Sequence, residues 1–333
     1  MLALKIAQFV GISLAIYLAI ALVLILSQWP KSPVATDKGL DFSREIKAAA
    51  PPPAGLSHIA MRDGLNLPVR LYPSDAADAP LVVLVHGSGW HGLQFDPLAR
   101  ALQPLADVVV PDLRGHGQAP ATRGDVGYIG QLEDDLADLI TARRKPGQKV
   151  VLAGHSSGGG LVVRMAGGPH GQGIDAAVLL APFLKYNAPT TRPNSGGWAH
   201  PLSRRIIGLS MLNMLRITAL NHMTVIEFAF PAAVLDGPMG ATATRAYSFA
   251  LNTSYAPRGD YLADIARLPV FLLIAGTADE AFVADGYQPL MAGVNDKGTY
   301  RLIDGVSHLD VVNAPQTVVA FRAFLQALPD AGE

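Results

Sequence analysis

Val150-Val151-Leu152-Ala153-Gly154-His155-Ser156-Ser157-Gly158-Gly159-Gly160-Leu161-Val162-Val163 holds a strand, a sharp turn and the start of a helix in one unbroken run. Val150 to Ala153 are apolar with no polar alternation, the pattern of a strand buried on both faces. Gly154-His155-Ser156-Ser157-Gly158 then fits G-x-S-x-G, a tight and strained turn that lifts a serine hydroxyl clear of a sheet edge. The strain explains the glycines, because the flanking positions must carry minimal side chains. A helix starting at Ser157 directs its amide dipoles toward charge that develops beside Ser156. With a strand before it and a helix after it, Ser156 is predicted to be a nucleophile.

The apolar signature recurs on both sides. Residues 81–85, 108–110, 176–180 and 270–275 are short runs rich in Val, Leu and Ile; a further strand is expected at 299–303 and a leading hairpin at 56–72. Helix-length segments lie between them. In 131–144, Leu132, Leu136, Leu139 and Ile140 share one helical face, with Glu133, Asp134, Asp135 and Asp138 elsewhere. Residues 311–328 read as a similar closing helix. This alternation predicts an α/β architecture, a mostly parallel central sheet with helices on both faces. It stops between Phe183 and Leu268, where turns rich in Pro, Gly and Asn flank an apolar helix candidate at 206–220. The stretch is too long for a crossover and is expected to be an insertion covering the carboxyl edge of the sheet. Its helix is expected to face the core of that insertion, with an acyl-chain tunnel or a membrane contact as alternatives.

A serine nucleophile needs a base, and the base needs an orienting acid. Asp279 follows the strand at 270–275, within Gly276-Thr277-Ala278-Asp279-Glu280; His308 follows the next strand, within Gly305-Val306-Ser307-His308. The chain order Ser156, Asp279, His308 is the one that accompanies this turn. Glu280 and Asp304 are rivals for the acid. An oxyanion needs two preset amides. One is expected from Ser157, the other from Ser88 in His86-Gly87-Ser88-Gly89, with Gly89 as the alternative. His86 is expected to brace that loop, His155 to pack the turn, and Pro111-Asp112-Leu113-Arg114-Gly115-His116-Gly117 to shape the rim structurally.

Gly87-Ser88-Gly89-Trp90-His91-Gly92 also fits G-x-G-x-x-G after a strand, with Asp112 at about the spacing of a ribose-binding acid. Trp90 and His91 argue against this nicotinamide-binding reading, since bulky residues crowd a turn that must admit pyrophosphate. The nine histidines are scattered and no metal-ligand motif is present, so neither metal nor cofactor is expected. Arg204-Arg205 reads as a solvated face or a helix start, not as a phosphate site. The absence of cysteine excludes disulfides, a thiol nucleophile and cysteine-based lipidation. A net charge of −1 gives no field for nucleic acid.

From Ile6 to Trp29 no side chain is charged. About 20 apolar residues cross a bilayer as a helix, and no convincing small-x-small cleavage site is seen before Trp29-Pro30. The segment is read as an uncleaved transmembrane anchor, with a buried core helix or a cleaved signal as the other readings. Lys5 lies before it and Lys31 and Lys38 after it, so positive charge barely orients it; an extracytoplasmic catalytic domain is the expectation. Residues 31–56, with Ala48-Ala49-Ala50 and Pro51-Pro52-Pro53, read as a tether. The expected division is 4–29 anchor, 30–56 linker, 57–182 and 269–328 catalytic core, and 183–268 insertion.

His86-Gly87, Asp112-Leu113-Arg114-Gly115-His116-Gly117, Gly154-His155-Ser156-Ser157-Gly158, Asp279 and His308 together resemble the α/β-hydrolase superfamily. Within it they are most similar to the lysophospholipase, monoacylglycerol lipase and serine aminopeptidase branch. The resemblance spans about residues 57–328 and makes the insertion a cap domain. It implies a serine hydrolase acting on a small-molecule or lipid ester, through a Ser156–His308–Asp279 triad and an acyl-enzyme. Acyl transfer and amide or peptide cleavage use the same residues and stay open, as does the remote case of a non-catalytic binding protein.

Overall fold

Runs of Val, Leu and Ile that exclude water on both faces can satisfy their backbone only by pairing side by side. The computed structural model describes residues 1–33, 39–43, 55–118 and 120–328; the Ala- and Pro-rich stretch 48–53 lies outside them. Among these residues the runs form one eight-stranded sheet ordered β1-β2-β4-β3-β5-β6-β10-β11. The strands are β1 (Leu56–Ala60), β2 (Asn66–Tyr72), β3 (Leu81–Val85), β4 (Asp107–Pro111), β5 (Val150–His155), β6 (Ala176–Leu180), β10 (Val270–Gly276) and β11 (Gly298–Ile303). The hairpin β1–β2 joins β4 antiparallel, and the strands from β4 to β11 run parallel. Register brings the working ends together: Val85 pairs Gly154, His155 pairs Leu180, and Gly276 pairs Ile303. The loops after β3, β5, β10 and β11 therefore leave from one edge.

The helices are α1 (Leu2–Leu26), α2 (Asp96–Leu102), α3 (Gln131–Arg143), α4 (Ser157–Ala166), α5 (Ser203–Met214), α6 (Ala232–Leu235), α7 (Phe249–Tyr255), α8 (Tyr261–Ala266), α9 (Tyr287–Ala292) and α10 (Pro315–Gln326). Helix α3 buries the predicted face of Leu132, Leu136, Leu139 and Ile140. Its acidic side is not simply solvated, because the buried carboxylate of Glu133 pairs with Arg164 and Arg258, and that of Asp135 with Arg114. Helix α10 starts at Pro315, where a fixed φ and a missing donor suit the first helical position, and not at residue 311, which lies in a 3-10 turn.

The insertion departs most from expectation. It contains a second, antiparallel sheet, β7 (Ala199–Pro201), β8 (Thr224–Phe228) and β9 (Ala246–Ser248), with β8 in the middle. These strands are three to five residues long and carry Pro and polar residues, so their periodicity is too short to read. The expected helix at 206–220 lies instead at Ser203–Met214. It stops because Arg216 takes φ 61° and the chain folds back, Ile217 N–H donating to Leu212 O at 3.0 Å.

Arg205 is not on a solvated face. It is buried and donates to the carbonyls of Ile25 and Thr224, with its guanidinium 5.0 Å from the Trp29 ring. Helix α1 thus docks on α5, burying Ala21 and Ile25 among Leu209, Leu212, Val225 and Phe249. Gly208 permits the approach, since a Cβ there would lie 2.6 Å from Ala21 O.

Candidate active site

Ser156 occupies the turn between β5 and α4 with φ 54° and ψ −122°, a region that L-residues rarely enter. Three backbone bonds hold it there: Ser156 N–H to Leu180 O at 2.9 Å, and Gly160 N–H and Phe183 N–H to Ser156 O at 3.1 and 2.9 Å. Both glycines of the motif are required. A Cβ on Gly154 would lie 2.3 Å from Gly158 O, and one on Gly158 would lie 2.2 Å from Val85 O.

The loops after β10 and β11 bring Asp279 Oδ2 to 2.8 Å from His308 Nδ1, both residues being buried. Asp279 Oδ1 accepts from the amides of Ala281 and Phe282 at 2.8 and 2.7 Å. Burial works to raise the Asp279 pKa; the adjacent His308 and these hydrogen bonds overcome it and hold the carboxyl below its ordinary value. An ionised Asp279 accepts a proton-bearing Nδ1, which turns Nε2 into the basic nitrogen. Of the two rival acids, Glu280 accepts from the backbone amides of His308 at 2.9 Å and Asp41 at 3.2 Å, and Asp304 accepts from Thr277 Oγ1 on the surface.

His155 does more than pack the turn. Its Nε2 lies 2.9 Å from the carbonyl of His308 and its Nδ1 3.3 Å from Gln94 Nε2, while its ring leans on the His308 ring at 4.7 Å. Burial, reinforced by His308, pushes its pKa down to about 3. A neutral His155 therefore donates from Nε2 and pins the main chain of His308. His86 braces the preceding loop as expected, with Nδ1 2.9 Å from Gly87 O and Leu113 N–H donating to Nε2 at 3.1 Å. The turn from Asp112 to Gly117 is structural: Asp112 pairs with Arg70 at 2.7 Å, and Arg114 pairs with Asp135 at 2.7 Å.

Among the described residues the amides of Ser88 and Ser157 donate to no protein acceptor. The amide of Gly89, the alternative to Ser88, is committed to Tyr247 Oη at 2.5 Å, and the Gly89 carbonyl accepts from Thr244 N–H at 2.8 Å. Tyr247 Oη passes its proton toward His116 Nε2, 2.7 Å away. Trp198 Nε1 donates to Ser88 Oγ at 3.1 Å. The insertion therefore grips the loop after β3 at two successive residues. No local pattern in the sequence marks Tyr247, which lies 158 positions from its partner. The G-x-G-x-x-G reading fails here, because the Gly92 amide also donates inward, to Asp112 at 2.8 Å.

Phe42, from the segment after α1, enters the same region. Its ring lies 5.7–6.0 Å from those of Trp90, Trp198 and Phe230. The cavity they share with Ser88, His155 and Leu309 keeps only about 30 Å³. A larger cavity of about 280 Å³ beside Arg114 and Asp125 touches neither Ser156, Asp279 nor His308.

The profile of the family "Serine aminopeptidase, S33" matches residues 77–313. Human monoglyceride lipase is 28% identical over 162 residues, which are 48% of this chain and 52% of that protein, so the chain spans about half the length of the curated relatives it matches. Among solved structures, a monoglyceride lipase from Saccharomyces cerevisiae superposes with a TM-score of 0.61 at 16% identity, over 84% of this chain and 96% of that one. A membrane phospholipase A described as a bacterial virulence factor superposes with a TM-score of 0.58 at 18% identity, over 98% of this chain and 99% of that one. These two likenesses establish a shared fold.

Proposed function

The chain belongs to the serine aminopeptidase S33 family of α/β-hydrolases, and from that premise we propose that it is a serine hydrolase cleaving carboxylic esters with hydrophobic acyl groups, of the lipase or lysophospholipase kind. One observation carries the reading: a serine held in a strained strand-to-helix turn shares a sheet edge with an imidazole whose Nδ1 is engaged by a buried carboxylate. The aromatic walls of Trp90, Trp198 and Phe230 beside Ser88 support an apolar acyl group.

In this mechanism the ester carbonyl oxygen lies toward the amides of Ser88 and Ser157. His308 Nε2 takes the Ser156 proton as Oγ attacks the carbonyl carbon. The tetrahedral oxyanion is stabilised by the two amides, and the protonated His308 by Asp279. Collapse breaks the ester bond, His308 protonates the departing alcohol, and a water activated by His308 then releases the acid. In the same reading 57–182 and 269–328 form the catalytic core, 183–268 the cap, and α1 a retained membrane anchor leaving the core on the extracytoplasmic side.

A fluorophosphonate probe on the purified full chain tests the nucleophile, and a chain-length series of p-nitrophenyl and glyceryl esters tests the substrate class. Labelling at Ser156, with turnover rising with acyl length, is expected. Absence of labelling in the folded protein would overturn the reading.

A further inference from the structure

Helices α1 and α5 lie antiparallel. Tyr17 Oη donates to Met211 O at 3.1 Å, Arg205 donates to Ile25 O at 3.3 Å, and Arg204 donates to Ser27 O at 2.9 Å. The start of α5 is therefore level with the end of α1, and its end, Met214, is level with the middle of α1. The cationic side chains cap the carbonyls that the end of α1 leaves unpaired. Removing α1 would uncover Leu209, Leu212, Val225 and Phe249, so the helix is a built part of the cap.

The docked stretch is at odds with a membrane that stops where the cap begins. At 1.5 Å per residue, the free part of α1, residues 2–16, spans about 22 Å, whereas the hydrocarbon layer is about 30 Å thick. The missing distance of about 8 Å, or about five residues, carries the boundary past Tyr17 to the level of Leu22. The outer face of the docked stretch is apolar to match, with Ile20, Leu22, Val23 and Leu26 exposed. By the antiparallel register, the level of Leu22 crosses α5 near Gly208, and everything from there to the turn after Met214 lies on the membrane side.

What the chain exposes there is apolar. Ile207, Met214, Leu215 and Ile217 are exposed, Met214 at 80%. The backbone of the turn is closed by Arg216 N–H to Asn213 O, and the side-chain amides of Asn213 and Asn221 pair with each other at 2.7 and 3.0 Å. Arg216, Thr218 and His222 are the polar exceptions; an arginine stem is long enough to return its head group to the interface, and His222 Nδ1 lies 3.0 Å from Ala219 O within the returning turn. At the other end of α5, Trp29, Arg204 and Lys31 gather where head groups lie. We infer that the end of α5 and the turn at 214–217 form a second membrane contact, seated in the lipid beside α1, so that the cap is held at the bilayer by two apolar elements. The inference rests on the reading of α1 as a retained anchor.

The absence of cysteine makes the test direct. Single variants Ile12→Cys, Met214→Cys, Ile217→Cys and Val319→Cys of the full chain are labelled with an environment-sensitive fluorophore and reconstituted in phosphatidylcholine–phosphatidylglycerol vesicles. Quenching by nitroxide-labelled lipid is compared with quenching by aqueous iodide. Positions 12, 214 and 217 are expected to respond to the lipid quencher, and position 319, exposed on α10, only to iodide. If 12 responds to lipid while 214 and 217 behave like 319, the inference falls and the anchor stands. Lipid-silent 12, or an intact mass lacking α1, removes both. Shielding of 214 and 217 from both quenchers would put another protein chain there and overturn the inference. Met214→Glu with Ile217→Glu is expected to lower turnover of vesicle-borne ester severalfold and to leave a soluble short-chain ester unchanged; equal loss on both substrates would count against it.

Discussion

Strand β6 of the large sheet has five residues, all fully buried, and pairs with β5 and β10 on either side. Strand β7 of the cap sheet has three residues, none of them buried, and among the described residues pairs on one side, with β8. The first kind of strand is specified by its own side chains, because burying Val and Leu on two faces drives the pairing. The second is specified by what arrives from elsewhere: α1 against α5, the Lys31 and Ser32 amides on Glu227 of β8 at 2.7 and 2.8 Å, and Gly89 between Thr244 and Tyr247. Chemistry divides the same way. In the proposed mechanism the sheet edge supplies the reacting groups, and the insertion supplies restraint and shape.

Substitutions separate those contributions, and the largest effects belong to the sheet edge. Ser156→Ala is expected to lower kcat by about 10⁴–10⁶, and adding His308→Ala is expected to cost little more, since such residues act as a unit. Steady-state ester hydrolysis of the single and double variants checks this, and additive losses would break the unit. Asp279→Asn should lower kcat by about 10⁴ by misplacing the Nδ1 proton, whereas Asp304→Asn should leave it unchanged. The reverse result would move the acid.

A cap residue comes next. Tyr247→Phe keeps the ring and frees the Gly89 amide, so kcat should fall by about 10-fold, less than the 10²–10³ for losing an oxyanion donor outright. The signature of positioning is a kcat loss with KM held, and a raised KM at constant kcat would make Tyr247 a substrate contact.

Acid should act on the core through its buried imidazoles. Burial pushes His86 down to about 4 and His155 to about 3 from an ordinary 6.5. Below about 6.5 the unfolded chain binds protons that the folded chain refuses, so stability present at neutral pH is lost as pH falls toward about 4. Thermal midpoints between pH 7 and pH 4 should drop, and His155→Gln should flatten the slope. An unchanged slope would take His155 out of the account. The smallest effect is expected from Phe42→Ala, which empties the aromatic box. It should raise relative turnover of long over short acyl esters by about 2–5-fold, since each added methylene is worth only about 1 kcal/mol. No change in chain-length preference would separate Phe42 from the acyl site.

Much of the large sheet was legible in the sequence because its signal is local. Runs such as 81–85 and 176–180 have no reading other than buried strand once glycine turns and amphipathic segments flank them. The candidate site was legible where it follows strand ends, so Ser156, Asp279 and His308 could be named from their order, and the structure brings Asp279 and His308 together. What escaped was whatever depends on distant partners. Tyr247 sits in a strand of three residues and Phe42 in a segment read as tether; Arg204-Arg205, read as a solvated face or a helix start, does lie at the start of α5, but the cover that α1 gives Arg205 was not legible. The acidic face of α3 escaped for the same reason, since Glu133 is buried only because Arg164 and Arg258 reach it.

The double grip on Gly89 has a consequence for anyone exchanging parts among enzymes of this family. Cut points at the two ends of the insertion would suggest a removable module, yet a third junction lies in the loop after β3, where one glycine has its N–H and its C=O satisfied by the insertion. A transplanted insertion lacking counterparts of Thr244 and Tyr247 would leave those two groups without partners, one residue from the amide proposed to meet the oxyanion. Grafts that carry both residues should inherit rate along with specificity, and grafts that carry only the outer surface should inherit specificity alone.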